Sequence, residues 1–67
     1  MKLESLLKKY DKLVNKIVDG DVASEPKAKA LEPEIEALLV SAKSGYGDAF
    51  VAPYEKQFED LKRLIYV

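Results

Sequence analysis

Sixty-seven residues, 48% of them hydrophobic and 34% charged, are expected to form one small globular domain over 1–67 rather than a disordered tail. With no cysteine and no histidine, neither disulfides nor the usual zinc ligands are available, so stability must come from helix packing, alone or with self-association. A net charge of −1 argues against a chain whose main task is to grip a polyanion.

The first stretch carries the strongest pattern. Leu3, Leu6, Tyr10, Leu13 and Ile17 recur at alternating steps of three and four residues, the spacing that stacks side chains on one helical face, and Leu7 and Val14 broaden the stripe. This predicts a helix over about 3–19. Gly20 follows its last apolar positions, where a left-handed C-terminal cap favours glycine. Around the stripe lie Lys2, Lys8, Lys9, Lys12 and Lys16 against Glu4 and Asp11, a balance of +3 over residues 1–18. Residues 19–44, including Glu32, Glu34 and Glu36, carry the opposite balance of −3. The two segments read as complementary rims of one helix pair. The competing reading is a basic face offered to an acidic partner.

Between the first two helices, Ser24 reads as an N-cap and Pro26 falls in the first turn that follows. Asp19-Gly20-Asp21 invites a calcium-loop reading, but the fifth and twelfth positions from Asp19 are Ala23 and Ala30, which offer no side-chain oxygen. The pattern therefore reads as a helix-ending turn.

The second helix is predicted over about 25–43, with Ala28, Leu31, Ile35, Leu38, Leu39 and Ala42 on its buried face. Pro33 either kinks this helix or divides it, since a mid-helix proline removes a hydrogen bond and crowds the preceding turn. The unbroken apolar register from Leu31 to Ile35 favours one kinked helix. Ser44-Gly45-Tyr46-Gly47-Asp48 reads as a loop with Gly45 as the helix cap. It lacks the preceding strand and the Lys with Ser or Thr that a phosphate cradle needs.

The third helix is predicted over about 50–66, with Val51, Tyr54, Phe58, Leu61 and Ile65 as its stripe, Pro53 in its first turn, and Phe50 packed back over the corner. Short connections make neighbouring helices antiparallel. The expected architecture is an all-α, antiparallel three-helix bundle.

The sequence points to no catalytic, cofactor-binding or metal-binding residue and to no small-molecule substrate. Catalysis usually recruits His, Cys or carboxylates held in a pocket. The pairs Glu32/Glu36 and Glu55/Glu59 have metal-bridging spacing but lie on polar faces beside lysines. A helix-turn-helix DNA reader would need a basic third helix, whereas Glu55, Glu59 and Asp60 offset Lys56, Lys62 and Arg63. Membrane association is not expected. The first helix needs its apolar face for the core, no apolar run spans a bilayer, and the N-terminal stripe is too charged for a signal peptide. A cytoplasmic location is the default for a chain without cysteine.

Val18, Val22, Val40, Tyr46, Leu64 and Tyr66 fall outside the three stripes. They are the candidate interface of a non-enzymatic protein that acts through protein–protein contact, as a homodimer or with a larger partner. The alternative is weak nucleic-acid binding through Lys2, Lys8, Lys9, Lys12 and Lys16.

Overall fold

In the computed structural model, which describes residues 2–66, three helices pack pairwise: α1 (Lys2–Val18), α2 (Glu25–Tyr46) and α3 (Asp48–Ile65). Cross-helix hydrogen bonds and an ion pair define an up-down-up bundle. Glu4 and Tyr10 of α1 reach Tyr54 and Phe58 of α3, so those two helices run parallel. Glu36 of α2 meets Lys62 of α3, and Glu32 meets Tyr66 just beyond it, so α2 runs against them. The bundle measures 37 × 18 × 15 Å, and no strand occurs among the described residues.

In α1 the fully covered residues are Leu3, Leu7, Tyr10 and Val14, while Leu6, Leu13 and Ile17 are half-buried beside them. All seven belong to the core, but its centre lies one ridge away from the 3-6-10-13-17 line. The reason is geometric: a helix in a three-helix bundle faces two neighbours, so the middle of its apolar arc points at the bundle axis and the edges lie on the seams. Ala28, Ile35, Leu39 and Ala42 of α2 and Val51 and Phe58 of α3 close the core, flanked by Leu31, Leu38, Tyr54, Leu61 and Ile65.

The first connection follows the glycine. Gly20 sits at φ +107°, its N–H donates to the Ile17 carbonyl at 3.0 Å, and the Asp21 N–H donates to the Lys16 carbonyl at 2.9 Å. These paired bonds satisfy carbonyls that the end of α1 would otherwise leave open. A single 3₁₀ turn, Val22–Ser24, fills the rest of the link. The expected capping role of Ser24 is corrected. It stands at the N-cap position, but the 3₁₀ turn already holds its backbone in the helical region at φ −78°, ψ −15°. Its buried hydroxyl donates to Asp21 Oδ2 at 3.0 Å instead of accepting from the first turn of α2.

The second connection differs more from expectation. Pro33 lies inside an unbroken α2, exposed to solvent. That helix continues through Ser44, Gly45 and Tyr46, and Gly47 makes the cap in place of Gly45, with φ +90° and its N–H on the Lys43 carbonyl at 2.9 Å. Only Gly47 takes the positive φ that favours glycine here, whereas Gly45 is helical. Because α3 begins at Asp48, Pro53 falls beyond its first turn and leaves the Ala49 carbonyl without its intrahelical donor.

Core substitutions test this assignment. Leu7→Ala and Phe58→Ala should each lower the unfolding free energy by about 2–5 kcal/mol, and half-buried Leu13→Ala by less, read from urea denaturation. If Leu13→Ala proves the most damaging of the three, the centre of the core is misplaced.

Candidate interaction surfaces

At the centre of the bundle stands Tyr10, whose side chain is fully buried and whose ring meets Phe58 edge-on, with centroids 5.3 Å apart. Its hydroxyl donates to Glu32 Oε2 at 2.8 Å. Tyr66 donates to both oxygens of the same carboxylate, at 2.8 and 2.9 Å, and Lys29 Nζ lies 5.4 Å from the Tyr66 ring centroid. Burial raises the Tyr10 phenol well above its ordinary range, and the hydrogen bond to Glu32 adds to the shift. Tyr66 is also raised, chiefly by its hydrogen bond to Glu32. Tyr54 donates to Glu4 at 2.8 Å, and that bond raises its phenol in the same direction. Each of these carboxylates therefore ties two helices together through a neutral phenol.

The six candidate interface residues are all exposed, from Tyr66 at 50% to Val22 at 74%, but they do not form one patch. Val18 and Val22 flank the α1–α2 link, at the end of the bundle where α3 delivers Leu64 and Tyr66. Tyr66 is held on Glu32 rather than free. Val40 lies alone on α2, on the face turned away from Ile35 and Leu39. Tyr46 is at the opposite end, in the last turn of α2 and not in a loop.

There Tyr46 stacks on Phe50 at 4.7 Å, and Phe50 tilts onto Tyr54 at 5.8 Å, forming an aromatic ladder across the α2–α3 corner. Phe50 is 39% exposed and belongs to this surface, although the sequence placed it only in the corner packing. The signal for it was its four-residue spacing from Tyr54 on the same helix; its stacking on Tyr46 crosses the break at Gly47 and is not a helical spacing.

The expected pairing of the α1 lysines with the acidic segment of α2 does not occur. Among the described residues, Lys2, Lys8, Lys9, Lys12 and Lys16 are exposed and take part in no ion pair. Lys62 takes Glu36 at 3.6 Å, Lys29 takes Glu25 at 2.8 Å, and Glu32 is occupied by the tyrosines. On the helical circumference Lys8, Lys9, Lys12 and Lys16 lie away from the buried face, whereas Lys2 borders Leu38 and Glu34 of α2 without pairing to a carboxylate.

A surface groove of about 500 Å³ is lined by Glu32, Glu59, Lys62, Arg63 and Tyr66. Its charges are matched locally, with Lys62 on Glu36 and Arg63 on Glu59 at 3.9 Å. Among the described residues, no three His, Cys, Asp or Glu side chains gather to hold a metal ion, and no helix is long and apolar enough to cross a membrane. Comparison with protein-family models, with curated proteins and with solved structures returns no match.

The buried phenol sets an alkaline limit on stability. A tyrosine raised above its unfolded value, near 10, contributes nothing to the pH dependence below about pH 10. Above it, the unfolded chain gives up a proton that the fold retains, so stability falls, for Tyr10 by at most about 1.4 kcal/mol per pH unit. Chemical denaturation from pH 8 to 11 should show a flat region followed by this decline, and Tyr10→Phe should make the decline shallower. An unchanged alkaline slope in that variant would show that Tyr10 titrates as it does in the unfolded chain.

Proposed function

We propose that this chain works without catalysis, as a small helical interaction module that binds another protein chain, either a second copy or a larger partner. The observation that carries this reading is the exposed aromatic ladder of Tyr46 and Phe50 with partly buried Tyr54; exposed Leu64 lies at the other end of α3. Grouped aromatic side chains at a surface retain apolar area that only a partner can remove from water, and tyrosine is enriched where proteins meet. The absence of His and Cys supports a non-catalytic role. The absence of cysteine also supports a cytoplasmic setting.

The test is co-purification of a tagged chain with untagged copies co-expressed beside it, comparing wild type with the triple variant Tyr46→Ser, Phe50→Ser, Leu64→Ser. Circular dichroism checks that the variant keeps its helices. Wild type should retain a stoichiometric second chain that the variant loses. A wild-type chain that emerges alone, or a variant that keeps the same companion, would overturn the proposal.

The unpaired lysines of α1 favour a second reading, weak and sequence-independent binding to nucleic acid. Lysines supply phosphate contacts as point charges, without the bidentate fork that arginine offers to bases. Duplex DNA titrated at low salt should bind with a log–log salt slope no steeper than about −4.5, for at most five phosphates neutralised. Lys9→Glu with Lys16→Glu should abolish that binding; no binding by wild type at low salt removes this reading.

A further inference from the structure

The corner between α2 and α3 is a single residue, Gly47, where helix–helix connections in bundles commonly take about 2–8 residues. Gly47 holds φ +90° and ψ 169°, a backbone region that only glycine enters at little cost. Its N–H already makes the bond that a continuing helix makes four residues back, to the Lys43 carbonyl at 2.9 Å. Past it, no side chain caps the first turn of α3. Asp48, Ala49 and Phe50 carry the N–H groups that a continuing helix would give to the carbonyls of Ser44, Gly45 and Tyr46. A change of φ and ψ at Gly47 is thus all that separates this corner from one unbroken helix over 25–65.

We propose that Gly47 is the hinge of a helix exchange, through which two copies of this chain trade α3 and form a dimer of two three-helix bundles. The inference goes beyond the interaction reading and does not rest on it, since it needs no exposed surface. Identity fixes the occupant. The surface that α3 covers, made by α1 and α2, is the same in every copy, so an exchanged helix remakes the contacts it left. Tyr54 returns to a Glu4, the Phe58 ring to a Tyr10, and Lys62 to a Glu36.

Straightening the corner costs few contacts. Tyr46, Phe50 and Tyr54 follow one another at intervals of four residues, so a straight helix keeps the three rings on neighbouring turns of one face. The Lys43–Asp48 ion pair across the corner, at 3.7 Å, joins two exposed side chains and contributes little. The α1–α2 link offers no comparable hinge. There a 3₁₀ turn follows Gly20, the Ser24 hydroxyl is tied to Asp21, and Pro26 lacks the N–H that a continuing helix would use. At low concentration the closed chain is favoured, because its own α3 is always at hand. An exchanged dimer carries each α1 lysine twice on one particle, which strengthens weak contacts to any one extended ligand.

The test mixes heavy-isotope-labelled and unlabelled chains, unfolds them in urea and refolds them together at millimolar concentration. A carbodiimide then joins Glu36 to Lys62, whose charged groups lie 3.6 Å apart. Wild type should give a dimer fraction on gel filtration, with Glu36–Lys62 links between light and heavy chains in its mass spectrum. Gly47→Ala should dimerise at a concentration at least about a hundredfold lower, because alanine disfavours the positive φ of the closed corner and favours the straight helix, in both copies. A Cβ there meets nothing within 4 Å, so no clash intervenes. A short Gly-Ser insertion after Gly47 should leave only monomers, since a longer link closes without constraint. Dimers whose links all lie within one chain would be surface dimers, which overturn the exchange and leave the interaction reading standing. A Gly47→Ala chain that keeps its helices yet stays monomeric at millimolar concentration, or an extended-corner chain that exchanges as wild type does, would also overturn it. If Gly47→Ala does not fold, wild type decides alone, and the absence of light–heavy links ends the proposal.

Discussion

A phenol in the middle of an apolar stripe cannot be buried as a leucine can, because its hydroxyl must keep a hydrogen bond when water is removed. Tyr10 meets that requirement by joining all three helices. Its ring packs edge-on against Phe58 of α3, and its hydroxyl reaches Glu32 of α2. Glu32 in turn holds Tyr66 just beyond the end of α3. One buried side chain thus sets how α2 and α3 lie against α1, and it specifies this arrangement more narrowly than apolar contact alone would.

That arrangement has consequences for charge. The carboxylate at the start of the acidic segment serves two phenols, and Glu36 serves Lys62 of α3. Lys8, Lys9, Lys12 and Lys16 of α1 are left facing solvent, because the same stripe that buries Tyr10 turns them away from both neighbours. The electrostatic asymmetry of the chain, basic in its first third and acidic in its middle, remains visible on the folded surface instead of being cancelled within it. Both proposals start from this surface, one from its exposed apolar residues and the other from the unpaired lysines of α1.

Size makes the exposed apolar residues matter. A bundle this small buries a limited fraction of its surface, so each helix has one arc inside and edges that only a neighbour can cover. On α1 and α2 those edges lie on the internal seams. On α3 the aromatic end and the Leu64 end project at opposite ends of one flank.

The sequence by itself determined the number of helices, their apolar faces, the all-α class and the left-handed turn at Gly20, since each follows from side-chain spacing or from the backbone freedom of a single residue type. Local chemistry was a weaker guide wherever two options were close in energy. Gly45 and Gly47 both suited a cap, and only the approach of α3 selected Gly47. Ser24 suited an N-cap until the 3₁₀ turn redirected its hydroxyl. Pro33 was compatible with a break, and packing along α2 kept one helix. The partner of Tyr10, the isolation of the α1 lysines and the separation of Val40 from Tyr46 and Leu64 were decided by tertiary structure alone. They depend on which faces of different helices meet, and periodicity describes one helix at a time.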